Sequence, residues 1–292
     1  MGEVVGAALL SHVPTIVLPD EVRRALNDGR ESTLYTGLHD VRREVLDVLK
    51  PDLVVVFDSH WFTTVEFVIA AHARRSGRYT SEELPRGMAQ VPYEIKGDPE
   101  FARAVAKEAD QLDECWITPI DDPCLPIHYP TINLLGFLQG EEAWVSVSTA
   151  QTGQPDDFLA VGGCVGRAIA GLDRRAFLIA SGALSHTFWP LRELRAHEAA
   201  GEEHIFTKEA AAADHAVLDA FARGDHRAVI DGMGEFARFR PEGRFGHYLG
   251  LVAAIGGREC TARGRAHSAY ENSIGTGQAH VVFDRPEGGW TA

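Results

Sequence analysis

Short unbroken apolar runs, each cut off by polar or turn-forming residues, set the rhythm of this chain. Val4–Leu10 reads as a strand. In "DVRREVLDVLKPD" Val41, Val45, Leu46, Val48 and Leu49 fall at near-helical spacing, and Pro51 stops the pattern. Leu53–Phe57 is a second strand, so the first third predicts a βαβ unit with a parallel strand pair. Val65–Ala73 is a further strand candidate, and residues 77–98 form a long ordered excursion rich in turn formers. Asp98 followed by Pro99 is a helix start, with the carboxylate as cap and proline at the first helical position.

The second half continues the alternation. Ala143–Thr149 predicts a strand, "PDDFLAVGGCVGRAIAGL" a helix despite its glycines, and Arg175–His186 a strand running into a Gly-rich turn. "TKEAAAADHAVLDAFARG" predicts a helix ended by Gly224, "HYLGLVAAIGG" a short apolar helix, and Ala279–Asp284 a last strand. No repeat of solenoid period and no linker interrupts the pattern. The expectation is one α/β domain spanning 1–292, with a central mixed, largely parallel sheet flanked by helices.

Composition narrows the classes. With 292 residues and 45% hydrophobic content, the chain can bury a large core. A formal net charge of −14 argues against nucleic acid or an anionic membrane surface as partner, since both need basic patches. The four cysteines, Cys115, Cys124, Cys164 and Cys260, form no CxxC pair and fit no zinc-finger spacing. They read as thiols in a reducing cytoplasm. The N-terminal apolar run lacks a basic flank and is too short for a signal or a membrane span.

Candidate chemistry sits where the strands end. Three strand-like segments finish in Ser-His: "LLSH" at His12, "FDSH" at His60 and "GALSH" at His186. In open α/β sheets, ligands bind outside the carboxyl ends of the strands. Histidine there suits metal ligation or proton transfer near neutral pH. One such histidine alone reads as structural, whereas three with the same placement favour function. Two imidazoles and one carboxylate on one face of an ion would match the non-haem Fe(II) pattern, and zinc hydrolases use a similar set.

"LLSHVPTIVLPD", "VVVFDSHWF", "GRYTSEELPRGMAQVPYEIKGDPEFA", "ASGALSHTF" and "IGTGQAHVVF" follow one another in the order seen in class III extradiol ring-cleaving dioxygenases, the LigB type. The chain most resembles their 3,4-dihydroxyphenylacetate 2,3-dioxygenase branch, through nearly its whole length. The resemblance implies Fe(II) held by His12, His60 and Glu242, the last in "FRPEGRFGHYLG", with Mn(II) suited to the same ligands. It makes His186 the acid–base histidine. It implies a substituted catechol and O2 as substrates, extradiol opening to a muconic semialdehyde, and a homo-oligomer. In "PCLPIHYPTINLL" this chain departs from the branch: an acidic residue, then Tyr or His, then Gly is replaced by His128, Tyr129 and Pro130. Either His128 or Tyr129 could supply a second proton-transfer group, and the ring substituent stays open.

Relatives also cleave 2-aminophenols and gallate-like acids. A zinc hydrolase and a non-catalytic binding protein on the same scaffold are the alternatives from other classes. Other polar clusters read as background. "HEAAGEEH" reads as a solvated acidic helix or lid, Asp214–His215 and Asp225–His226 as surface pairs, and His72 as structural. Asp58 reads as either a group orienting a ligand or a cap. "GTGQ" lacks the lysine of a phosphate loop.

Overall fold

The structure, a computed structural model, describes residues 2–113 and 115–291. Its strands are β1 (Glu3–Leu10), β2 (Leu53–Thr63), β3 (Phe67–Ala70), β4 (Arg74–Tyr79), β5 (Val91–Lys96), β6 (Ile117–Ile120), β7 (Ala143–Ala150), β8 (Arg175–Ser181), β9 (Gly264–Ala266), β10 (Glu271–Ser273), β11 (Thr276–Gln278) and β12 (Val281–Asp284). Eight of them form one sheet in the order β6-β3-β7-β2-β8-β1-β12-β9. Its centre, β7-β2-β8-β1, is parallel, and β12 and β9 continue it antiparallel at one edge. This is the α/β class expected, with a mixed sheet between helices.

Both faces of the parallel centre are covered, which is why its strands read as continuous apolar runs. Leu53, Val55 and Phe57 of β2, with Leu178 and Ala180 of β8, pack toward the helices Pro155–Gly171 and Gly246–Ala254. Val54 and Val56, with Phe177 and Ile179, pack toward Leu34, Leu38 and Val41 of the helix Thr33–Val41 and Leu134 and Leu138 of the helix Tyr129–Leu138. Successive side chains of a strand point to opposite faces, so each run feeds two cores. The predicted helix starts at Pro99 and Lys208 are present, the first capped by Asp98 accepting from the Phe101 amide, the second closed by Gly224 at φ +73°.

Several expectations are corrected. β1 and β2 are both parallel but do not pair; β8 lies between them. The first long helix begins at Thr33, where Ser32 accepts from the Leu34 amide, and passes through a wide turn at Arg42–Leu46 before ending at Leu49. β2 does not end at Phe57 but runs on to Thr63. The excursion at 77–98 contains most of a hairpin, β4 against β5. Tyr129–Leu138 is a helix that the pattern hid, because it is apolar on nearly every side and shows no periodic polar face. Asp214 and His226 are fully buried, not surface residues. His226 bridges the Tyr248 hydroxyl and the Ala262 carbonyl, each at 2.8 Å.

Candidate metal centre and its pocket

The extension of β2 is irregular, and that irregularity delivers His60. Phe57 pairs with Val147 and Phe62 with Thr149, so Asp58–Trp61 stand opposite Ser148 alone. Such a bulge bends a strand and re-aims its side chains. Asp58 holds it: one carboxylate oxygen accepts from the amides of His60 (2.9 Å) and Trp61 (3.1 Å), the other from Thr131 Oγ1 (2.8 Å). Asp58 therefore caps the bulge and acts on His60 through the backbone.

His12 leaves the end of β1, next to the end of β8. Its Nδ1 lies 3.0 Å from Ser181 Oγ, and its Nε2 faces Glu242 Oε1 at 3.3 Å. Upstream, the Ser11 amide donates to His280 Nδ1, whose Nε2 donates to the Leu34 carbonyl. Those two bonds choose one tautomer of His280, and burial pushes its imidazole down to about 4, so it stays neutral.

Glu242 arrives from a loop of unusual backbone. Gly243, Arg244 and Phe245 are all left-handed, at φ +53°, +59° and +61°. Two non-glycine residues in that region store strain of about 1–3 kcal/mol each, which the surrounding contacts must offset. The loop is stitched to the turn after β8. The Ala183 amide donates to Glu242 Oε2 (2.6 Å), the Glu242 amide to the Leu184 carbonyl (3.2 Å), and the His186 amide to the Phe239 carbonyl (3.2 Å).

Three side chains thus converge. His12 Nε2, His60 Nε2 and Glu242 Oε1 approach one another, with His60 Nε2 at 2.8 Å from the carboxylate, and one ligand atom from each residue lies within 4.8 Å of the others. Ser59 Oγ also donates to Glu242 Oε1, at 2.7 Å. Burial alone would push the Glu242 carboxyl up, but the imidazoles of His12 and His60 beside it hold it well below the usual range. Burial likewise opposes a charge on His60, yet Glu242 on one side and Glu83 on the other raise it to about 10. The site is therefore built to hold positive charge between a carboxylate and two imidazoles. A divalent cation fits that demand, and it would displace the proton on His60. The Ser181 hydroxyl behind His12 and the Glu83 carboxylate, 3.5 Å behind His60, are the kind of partners that orient metal-binding imidazoles.

Two more groups face this point. His186 Nε2 lies 4.0 Å from Glu242 Oε2, and burial pushes its imidazole down, leaving it neutral at pH 7. The Tyr129 hydroxyl lies 2.8 Å from His60 Nε2, and burial among carboxylates keeps it protonated. His128, its neighbour in the chain, turns elsewhere: it stacks on Trp61, lines a small separate cavity with His72, and its buried Nε2 has no hydrogen-bond partner among the described residues.

Sequence reasoning passed over Glu83, Asp214 and the serines of the Ser-His pairs. Each serine ties its loop to another element: Ser11 Oγ to Gln278 Oε1 at 2.6 Å, Ser59 to Glu242, Ser185 to Asp214. The repeated hydroxyl before each histidine was a readable signal of that role. Glu83 lies in the excursion of 77–98, where only folding of the hairpin brings it to His60.

The family described as the catalytic LigB subunit of aromatic ring-opening dioxygenase matches residues 6–283, and the chain belongs to that family. Among curated proteins it is similar to the 3,4-dihydroxyphenylacetate 2,3-dioxygenase of Escherichia coli, with 27% identity over 191 residues, 64% of this chain and 68% of that one. The crystal structure of an uncharacterized protein from Escherichia coli K12 shares the fold, with a TM-score of 0.62 at 14% identity, covering 96% of this chain and 99% of that chain. Among the described residues no helix is long and apolar enough to cross a membrane.

Proposed function

We propose that the whole chain acts as one extradiol dioxygenase unit that opens a substituted catechol next to its diol, using O2, to a muconic semialdehyde. The observation that carries this is the convergence of His12, His60 and Glu242, the first and last of which line one pocket, with a neutral His186 and a protonated Tyr129 beside them.

His12, His60 and Glu242 would hold the metal, Fe(II) in this reading. Bound there, it supplies Lewis acidity that lowers the pKa of the catechol hydroxyls and a redox centre that triplet O2 needs in order to react with a closed-shell ring. The rest falls to the side chains. His186, neutral and a few ångströms from the ligands, takes a hydroxyl proton as general base and returns it as the ring opens. Tyr129 keeps its proton and offers a hydrogen bond at the same point.

The test is absorbance and oxygen uptake of Fe(II)-reconstituted protein with a catechol panel, in air and under argon. A yellow product that forms only with oxygen is expected. Absence of both colour and oxygen uptake with every catechol and aminophenol, despite bound iron, would overturn the reading.

A further inference from the structure

The pocket is larger than a catechol needs, and the walls beyond the pair His12 and Glu242 have a definite chemistry. It has a volume of about 320 Å3 and is lined by Arg23 and Leu26 as well as by His12, His186 and Glu242. A dry apolar cavity of about 150 Å3 takes one benzene ring, so this one has room for roughly two. Beyond the metal-binding side chains its walls include Ile16, Leu18, Leu26, Leu34, Leu194 and Ile274.

Charge along the walls is as informative as their shape. Among the described lining residues Arg23 is the sole Lys or Arg, and its guanidinium is already used. Nε and Nη2 bind Glu31 at 3.0 and 2.6 Å, Nη1 binds the Leu18 carbonyl at 2.6 Å, and its face lies 3.6 Å over the Tyr35 ring. The other charged side chains of the lining, histidines aside, are carboxylates. Glu271 is saturated by Ser32 and Thr33, and Glu83 faces His60. Glu198 stands at the wall of the same pocket. A substrate carboxylate entering here would find like charge and no free cation to meet it, in a setting where charges are weakly screened.

We propose that the pocket selects a catechol whose substituent is uncharged, apolar and about the size of a second ring, and discriminates against the arylacetate named for the curated relative. This rests on the catechol-cleaving reading but can fail separately from it. The decisive measurement is calorimetric binding under argon, with metal-free and Fe(II)-loaded protein, of 4-phenylcatechol, 4-methylcatechol, 3,4-dihydroxyphenylacetate and dopamine. The expected result is 4-phenylcatechol tightest, on the order of tenfold or more over the other three. Leu26→Trp, which adds bulk to an apolar wall of the pocket, should abolish that preference while the circular dichroism spectrum stays native. The assignment is overturned if the arylacetate binds as tightly, if 4-methylcatechol matches 4-phenylcatechol, or if dopamine binds best, which would make Glu198 the reader of a cationic tail. Preferential binding of 4-phenylcatechol without any oxygen consumption would support the pocket assignment and overturn the dioxygenase reading instead.

Discussion

Asp214 grips Ser185 at two points: Oδ1 accepts from its amide at 2.9 Å and Oδ2 from its hydroxyl at 2.6 Å. The Tyr270 hydroxyl donates to the same Oδ2 at 2.6 Å. Ser185 precedes His186, so a fully buried carboxylate on the helix Lys208–Arg223 fixes the turn that carries the proposed acid–base group. Burial pushes Asp214 up to about 6, against the pull of its hydrogen bonds from Ser185 and Tyr270. A carboxyl in an unfolded chain titrates near 3.9. The folded state therefore holds this proton more tightly, and stability falls as pH rises from about 4 to about 6. The contribution lost across that window is roughly 3 kcal/mol. Urea unfolding of wild type and Asp214→Asn at intervals from pH 4 to 7 should show that component of the slope in the first and not in the second. Equal slopes would show that Asp214 titrates normally in the fold.

Removal of a ligand and removal of the neighbouring base should be distinguishable. Glu242→Ala, His12→Ala and His60→Ala should lose bound iron and all turnover, read by metal analysis. His186→Ala should retain iron and catechol binding while the rate falls on the order of 10²-fold or more. Full iron occupancy in Glu242→Ala would dismantle the proposed triad, and normal turnover in His186→Ala would remove it from the mechanism.

Asp58 offers a test of the bulge. Asp58→Ala leaves the amides of His60 and Trp61 without their side-chain acceptor, while the Thr131 hydroxyl can still turn to Ser146 Oγ. The expected loss is about 1–3 kcal/mol per unsatisfied group. Iron affinity should fall as His60 loosens, although Asp58 touches neither His60's ring nor Glu242. A variant with unchanged iron affinity would show that the bulge holds its shape without the cap.

Much of this architecture was legible because burial on both faces leaves a plain mark. β1, β8 and the first half of β2 appear in the sequence as apolar stretches, and Asp98–Pro99 announces its helix in two residues. What escaped depends on distance. The bulge at Asp58–Trp61 looks, in one dimension, like the end of a strand. The Tyr129–Leu138 helix has no polar face to set a period. His12 and His60 stand out as polar breaks after apolar runs, whereas Glu242 is one of 42 acidic residues and was singled out only by its place in a family motif. Glu83 and Asp214 gain their roles from partners far away in the chain, which no local pattern encodes.

The position of β8 has a consequence for how the protein is made. It separates β1 from β2, yet it is synthesised more than 100 residues after β2 ends. A nascent chain that exposes His12 and His60 has no strand to place between them, and the loop bearing Glu242 has still to be translated. Long-range pairings of this kind form late. The proposed metal site is therefore complete only after most of the chain has been made, so an ion that binds it meets the finished fold.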